Sequence, residues 1–194
     1  TPDRRFGRLD PFSRTGLAAI AFALRDAGLE EWNAKRRIGL IAATTYGCLA
    51  TDSAYFDTVL PDEGALASPQ LFAYTLSNTF LGEAAIRFGL TGSGMVINDP
   101  QPGGLTPLGM ALESLDWDEE TCVVAGLSEL PSPEGLPVVE GASAGAVFMV
   151  LEKEDRPGVS SFGTLSRSSD GTYSLNGKNV TAVAELVEVC LESL

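Results

Sequence analysis

Met95-Val96-Ile97-Asn98, then Gly103 to Leu115, then Thr121-Cys122-Val123-Val124-Ala125-Gly126 is the stretch whose reading decides the fold. The two outer pieces are too short and too uniformly apolar for helices between their polar boundaries, so they read as strands. The middle piece enters through a Pro/Gly turn and reads as a helix. Strand, helix and strand at this spacing form a βαβ unit, which places the strands parallel. Upstream, Arg37-Ile38-Gly39-Leu40-Ile41-Ala42-Ala43-Thr44 is another short apolar run, as expected of a strand buried on both faces of a parallel sheet. Further out, Ser13 to Ala27 carries Leu17, Ile20, Phe22 and Leu24 at helical spacing and stops at Gly28. Helical stretches are expected over Ala50–Leu60 and Pro69–Phe88, the second interrupted at Ser77-Asn78-Thr79. Downstream, Pro131–Pro137 reads as a loop. Ala144–Leu151 and Val159–Leu165 read as consecutive strands of an antiparallel ribbon, and Ser166–Lys178 as a polar linker. Val180–Leu194 reads as a terminal amphipathic helix. The expectation is one α/β domain over residues 1–194.

Thirteen Lys and Arg stand against 26 Asp and Glu, a net charge of −13 over 194 residues. That balance argues against nucleic acid or an anionic membrane as partner, since both require a basic face. There is no histidine, so Ser-His-Asp and Cys-His catalysis and His-bearing zinc sites are excluded within this sequence. Neither a metal nor a cofactor is expected. Cys48, Cys122 and Cys190 lie too far apart for a C-x-x-C motif, and their odd number suits a reducing, cytoplasmic setting. No apolar run approaches the roughly 20 residues that span a bilayer. Cys122 and Cys190 fall on apolar faces and read as packing residues, which leaves Cys48 as the thiol with any prospect of reactivity.

Several motifs, in order, resemble the N-terminal half of the β-ketoacyl synthases, members of the thiolase-like fold. Arg8-Leu9-Asp10-Pro11-Phe12-Ser13 is similar to the opening of their first helix, and Leu76-Ser77-Asn78 with Ala85-Ile86-Arg87-Phe88-Gly89-Leu90-Thr91-Gly92 to the stretch ahead of their active-site strand. Val123 to Glu129 resembles the family's V-x-A-G-G-x-E, with Leu127 and Ser128 departing from the glycine pattern. Gly145-Ala146 through Glu152 resembles the following strand. The resemblance runs from Arg8 to Leu165 and implies a thiolase-like half-fold with a mixed, mainly parallel sheet and helices on both faces. Residues 180–194 then read as the start of a second half.

The departure lies at the chemical centre. The family's nucleophilic Cys sits where this chain reads Asn98-Asp99-Pro100-Gln101-Pro102-Gly103-Gly104, and alignment of the flanking glycines puts Gln101 at that position. A carboxamide cannot form a thioester, and the phrase resembles the catalytically silent chain length factors. The family's catalytic histidines and lysine come from the other half. The resemblance therefore implies a non-catalytic, chain-length-factor-like protein of fatty acid or polyketide biosynthesis, acting through protein contacts as a homodimer or as a heterodimer with a ketosynthase. An acyl carrier protein is a further partner it allows. Met95, Val96 and Ile97 would form the strand that pairs across the dimer. Two other readings stay open: an acyltransferase or malonyl decarboxylase that borrows histidines from a partner chain, and a portion of a longer β-ketoacyl synthase. Gln101 either fills a loop or shapes a silent pocket. Asp99 reads as a cap for the next helix, with an acid/base role as the alternative. Gly103 and Gly104 are required by close packing at the turn.

Overall fold

A computed structural model describes residues 5–99, 103–136, 138–139 and 144–192, with the Asp62 side chain left out. The chain opens with helix α1 (Pro11–Asp26), where the Asp10 carboxylate accepts from the Ser13 N–H at 3.1 Å and Pro11 occupies the first turn. This is an N-cap followed by a proline that needs no N–H partner. Strand β1 (Gly39–Thr44) follows, then α2 (Leu49–Val59), the single-turn α3 (Pro69–Phe72) and α4 (Thr79–Phe88). The interruption read at Ser77-Asn78-Thr79 falls at the start of α4, but 73–78 between α3 and α4 is not helical. Next come β2 (Gly94–Asn98), α5 (Thr106–Asp116), β3 (Cys122–Glu129) and β4 (Gly145–Glu152). Three short strands, β5 (Leu165–Arg167), β6 (Tyr173–Leu175) and β7 (Lys178–Val180), lead into α6 (Val183–Leu191).

The main sheet has the order β2-β1-β3-β4. β1 pairs in parallel with both β2 and β3, and β4 runs antiparallel to β3. All six residues of β1 are buried, which is why that strand reads as an unbroken apolar run. Helices cover both faces. On one, Phe12, Ile20 and Leu24 of α1 and Phe80 and Ala84 of α4 pack on Leu40, Ala42, Val124 and Phe148. Gly16 admits the Phe80 ring against the α1 backbone, since a Cβ there would lie 2.6 Å from it. The ring meets Phe12 edge-on at 5.4 Å. On the other face, Leu108, Ala111 and Leu115 of α5 share a core with Ile41, Val123 and Ala125 and with Val183, Leu186 and Val189 of α6.

Two expectations are corrected. β4 pairs with β3, not with 159–165, of which only Leu165 enters a strand. Gly158 and Gly163, both at positive φ, break the segment that the apolar pattern joined. The stretch 166–178 is not a linker but two hairpins, β5–β6 and β6–β7, forming a second sheet. The β6–β7 turn is Asn176-Gly177 with φ of 52° and 79°, the Asn-Gly pair that suits a two-residue turn. Its polar flanks hid it. The terminal helix accordingly starts at Val183, because Val180 still belongs to β7. Among the described residues no helix is long and apolar enough to cross a membrane.

Candidate functional site

The ends of β1, β2 and β3 converge on a cavity of about 380 Å³, at the carboxyl edge of the parallel strands where open α/β sheets place their sites. Its floor is the tip of β3. Glu129, the last residue of that strand, is 5% exposed, yet its carboxylate is fully engaged. It accepts from the Thr45 N–H, from the Tyr46 N–H at 3.3 Å and from the Thr44 hydroxyl at 3.3 Å. The Thr44 hydroxyl in turn accepts from the Gly47 N–H at 2.8 Å. A single buried carboxylate thus organises the whole turn after β1, and charge-assisted bonds of this kind are the strong ones. Tyr46 extends the chain of contacts, its hydroxyl accepting from the Val139 N–H at 2.8 Å, so the β3–β4 connection is tied to the same turn.

The opposite wall is the turn into α5 together with the start of α6. Gly103 and Gly104 have φ of 96° and 66°. A Cβ on Gly103 would lie 2.6 Å from the Thr181 carbonyl oxygen, and one on Gly104 would lie 2.5 Å from Leu127 Cδ2. Neither has room for a side chain. The Gly103 carbonyl accepts from the Val183 N–H at 2.7 Å, so the first turn of α6 is docked directly on this turn. Ala182, Val183 and Ala184 line the cavity as a result.

Of the expected site residues, the structure brings Asp99, Gly103 and Gly104 to the cavity. Gln101, with Pro100 and Pro102, lies outside the described residues. Asn98 sits at the exposed end of β2, in register with Thr44. Asp99 does not cap the following helix: α5 starts at Thr106, its N-cap is Leu105, and that end has no side-chain cap. The Asp99 N–H instead extends the sheet, donating to the Thr44 carbonyl at 2.9 Å, and the residue lines the cavity. Glu129, Thr44 and Tyr46 were not singled out from sequence. The available signal was one carboxylate ending an otherwise apolar strand, a placement that requires buried donors nearby.

The described lining holds two carboxylates, Asp99 and Glu129, and no Cys, Lys, Arg or His. Among the described residues no group of three His, Cys, Asp or Glu is placed to hold a metal. The cysteines lie elsewhere. Cys48 is buried ahead of α2 with its Sγ 3.4 Å from Ser77 Oγ and 3.6 Å from both Asp52 oxygens. Burial pushes its thiol up, and the Asp52 carboxylate pushes it further. The Cys122 thiol is pushed up to about 12, chiefly by burial, and burial raises Cys190 as well. None is an activated thiolate.

The sequence model of the family described as "Beta-ketoacyl synthase, N-terminal domain" matches residues 1–152. The chain belongs to this family. Among curated proteins it is similar to 3-oxoacyl-[acyl-carrier-protein] synthase 2 of Vibrio cholerae, 29% identical over 153 residues, covering 77% of this chain and 36% of the relative. The chain therefore spans about a third of the length of that relative. Among solved structures it is similar to the ishigamide ketosynthase/chain length factor, at a TM-score of 0.56 and 18% identity, covering 66% of this chain and 34% of the other. It is also similar to a ketosynthase in complex with its chain length factor from Xenorhabdus doucetiae, at a TM-score of 0.52 and 16% identity, covering 79% of this chain and 62% of that one. These structures establish the thiolase-like fold of the N-terminal ketosynthase half: a mainly parallel mixed sheet between helices.

Within the β-ketoacyl synthase pattern, Leu127 stands at a glycine position, and its side chain closes on Gly104. Ser128, one residue on, is fully buried, and its hydroxyl has no hydrogen-bond partner among the described residues.

Proposed function

We propose that this chain is a ketosynthase-like subunit of fatty acid or polyketide synthesis that does not itself condense acyl groups and works through contact with a ketosynthase chain. The observation that carries the reading is the make-up of the cavity. Its described lining offers no Cys, no Ser and no cation, the family resemblance puts Gln101 at the Cys position, and the 194 residues contain no histidine. A covalent acyl-enzyme needs an activated nucleophile with donors for the developing oxyanion. The similarity to structures of ketosynthases with chain length factors supports the choice of partner.

The test is intact-mass spectrometry after incubation with acyl-carrier thioesters. The expected result is no stable adduct. Gln101→Cys is expected to accept an acyl group at most and to form no carbon–carbon bond alone, because no imidazole is present to support decarboxylation. Condensation by the isolated Gln101→Cys chain would sink the proposal, as would a wild-type adduct mapping to Cys48.

The second chain is expected along β2. Among the described residues that strand pairs with β1 alone, and along it Gly94 and Met95 are exposed, with Val96 and Ile97 half-buried. A free strand edge with apolar side chains is a template for another strand. Light scattering after gel filtration should show a dimer at micromolar concentration, with Ile97→Asp shifting it to monomer. A wild-type chain that is already monomeric, with the variant unchanged, counts against this edge as the self-pairing interface.

A further inference from the structure

Across the middle of the sheet, one row of three side chains meets the cavity. Ala43 of β1 and Val147 of β4 are the register partners of Leu127 on β3, and all three line the cavity. Paired residues share a face of the sheet, so Leu127 stands between two shorter neighbours. Its extra length is used. Leu127 Cδ2 reaches Gly104 in the turn into α5, where an added Cβ would lie 2.5 Å from it, and the same Cβ would lie 3.6 Å from Val183 Cγ2 of α6. Thus β3, the α5 turn and α6 converge on one point, and the Leu127 isobutyl group fills it. Leu127 also packs against the core that holds Leu108, Ala125 and Val183. The glycine of the family pattern would leave this point open. The wall is built from this chain's own β3, α5 turn and α6, so its position does not depend on what covers the cavity mouth.

The rest of the lining sets the chemistry. It is mostly Ala, Gly and Val, with the two carboxylates Asp99 and Glu129 and, among the described residues, no Lys or Arg. An anionic head beside carboxylates, with no cation to offset it, is disfavoured. A neutral chain gains by leaving water for the apolar walls.

We infer that Leu127 is the specificity-determining residue of this cavity: it closes the inner end that a glycine would leave open, and so limits the cavity to short, neutral, apolar chains. The inference goes beyond the reading of the chain as a non-condensing subunit and holds with or without a ketosynthase partner.

The test is the binding of straight-chain primary alcohols, from ethanol to octanol, to the full chain, read from amide chemical-shift titration at Ala43, Ala182 and Val183. Affinity should rise about fourfold per methylene while the cavity still buries new carbons, and then level. In Leu127→Ala the levelling point should move to chains longer by roughly two to three carbons, the reach of the side-chain atoms removed. Alcohols just past the wild-type limit should then gain about tenfold in affinity. Leu127→Val, β-branched and suited to a strand, should move the limit by about one carbon and serves where the alanine protein fails to fold. Hexanoate should bind about tenfold more weakly than hexanol throughout. Coincident levelling points in the wild type and the folded variants would overturn the inference, as would the absence of titrating shifts at the cavity amides in all of them. Equal binding of hexanoate and hexanol would overturn the restriction to neutral ligands. The readout is reversible binding without acyl transfer, so its failure and the failure of the non-condensing reading are told apart.

Discussion

Gly126→Ala is expected to destabilise the protein by about 3 kcal/mol or more, enough to unfold a domain of ordinary stability. Gly126 sits in the middle of β3, flanked by parallel β1 and antiparallel β4, in register with Ala42 and Phe148. A Cβ there would be driven into the Val147 carbonyl oxygen and would lie 2.7 Å from Phe148 Cα. Both obstacles are backbone, so no rotamer change relieves them. Relief requires prying β4 from β3, the pair that carries eight residues of register. Phe148, which also meets the Phe80 ring, would move with it. Urea denaturation measures the loss. Gly94→Ala, whose new Cβ meets nothing within 4 Å, is the control, expected within about 0.5 kcal/mol of the parent. Equal stability of Gly126→Ala and parent would refute the close approach of β3 and β4.

Glu129→Ala is expected to cost about 2–4 kcal/mol and to loosen the turn after β1, because it strips the Thr45 and Tyr46 N–H groups of their common acceptor. The effect reaches the cavity: with Tyr46 released, the contact from its hydroxyl to the Val139 N–H is lost as well. Glu129→Gln should recover part of the loss, since one carboxamide oxygen still accepts while its NH₂ faces donors. Hydrogen exchange at the Thr45 and Tyr46 amides, read beside the denaturation midpoint, separates local release of the turn from global unfolding. The expected order of protection is wild type, then Gln, then Ala. Unchanged exchange at both amides in Glu129→Ala would mean that the turn is held by something other than this carboxylate.

The strands around the centre of the sheet were legible because burial on both faces writes a simple code. Gly39–Ala43 is apolar throughout, and the same holds for Cys122–Leu127, so no periodicity had to be judged. α1 was legible from its apolar spacing and its glycine stop, while its start two residues earlier, at Pro11 behind the Asp10 cap, was set by the structure. β5 to β7 were not, since three-residue strands with exposed polar positions carry little hydrophobic signal. Only the Asn176-Gly177 turn betrayed them. The partner of β4 was misjudged for a related reason: alternation identifies a strand but says nothing about which neighbour supplies its hydrogen bonds.

What the sequence by itself determined is the family, the α/β order of elements and the absence of imidazole, all of them properties of residue identity and spacing. What the tertiary structure alone decided is which groups meet. Glu129 reaches the turn 84 residues upstream, Gly103 receives the first turn of α6, and the apolar side chains of α2 and α3 remain uncovered. The physical reason is that a buried carboxylate, a crowded glycine and an exposed leucine differ from their ordinary counterparts only in surroundings. Those surroundings are assembled from segments that lie far apart along the chain.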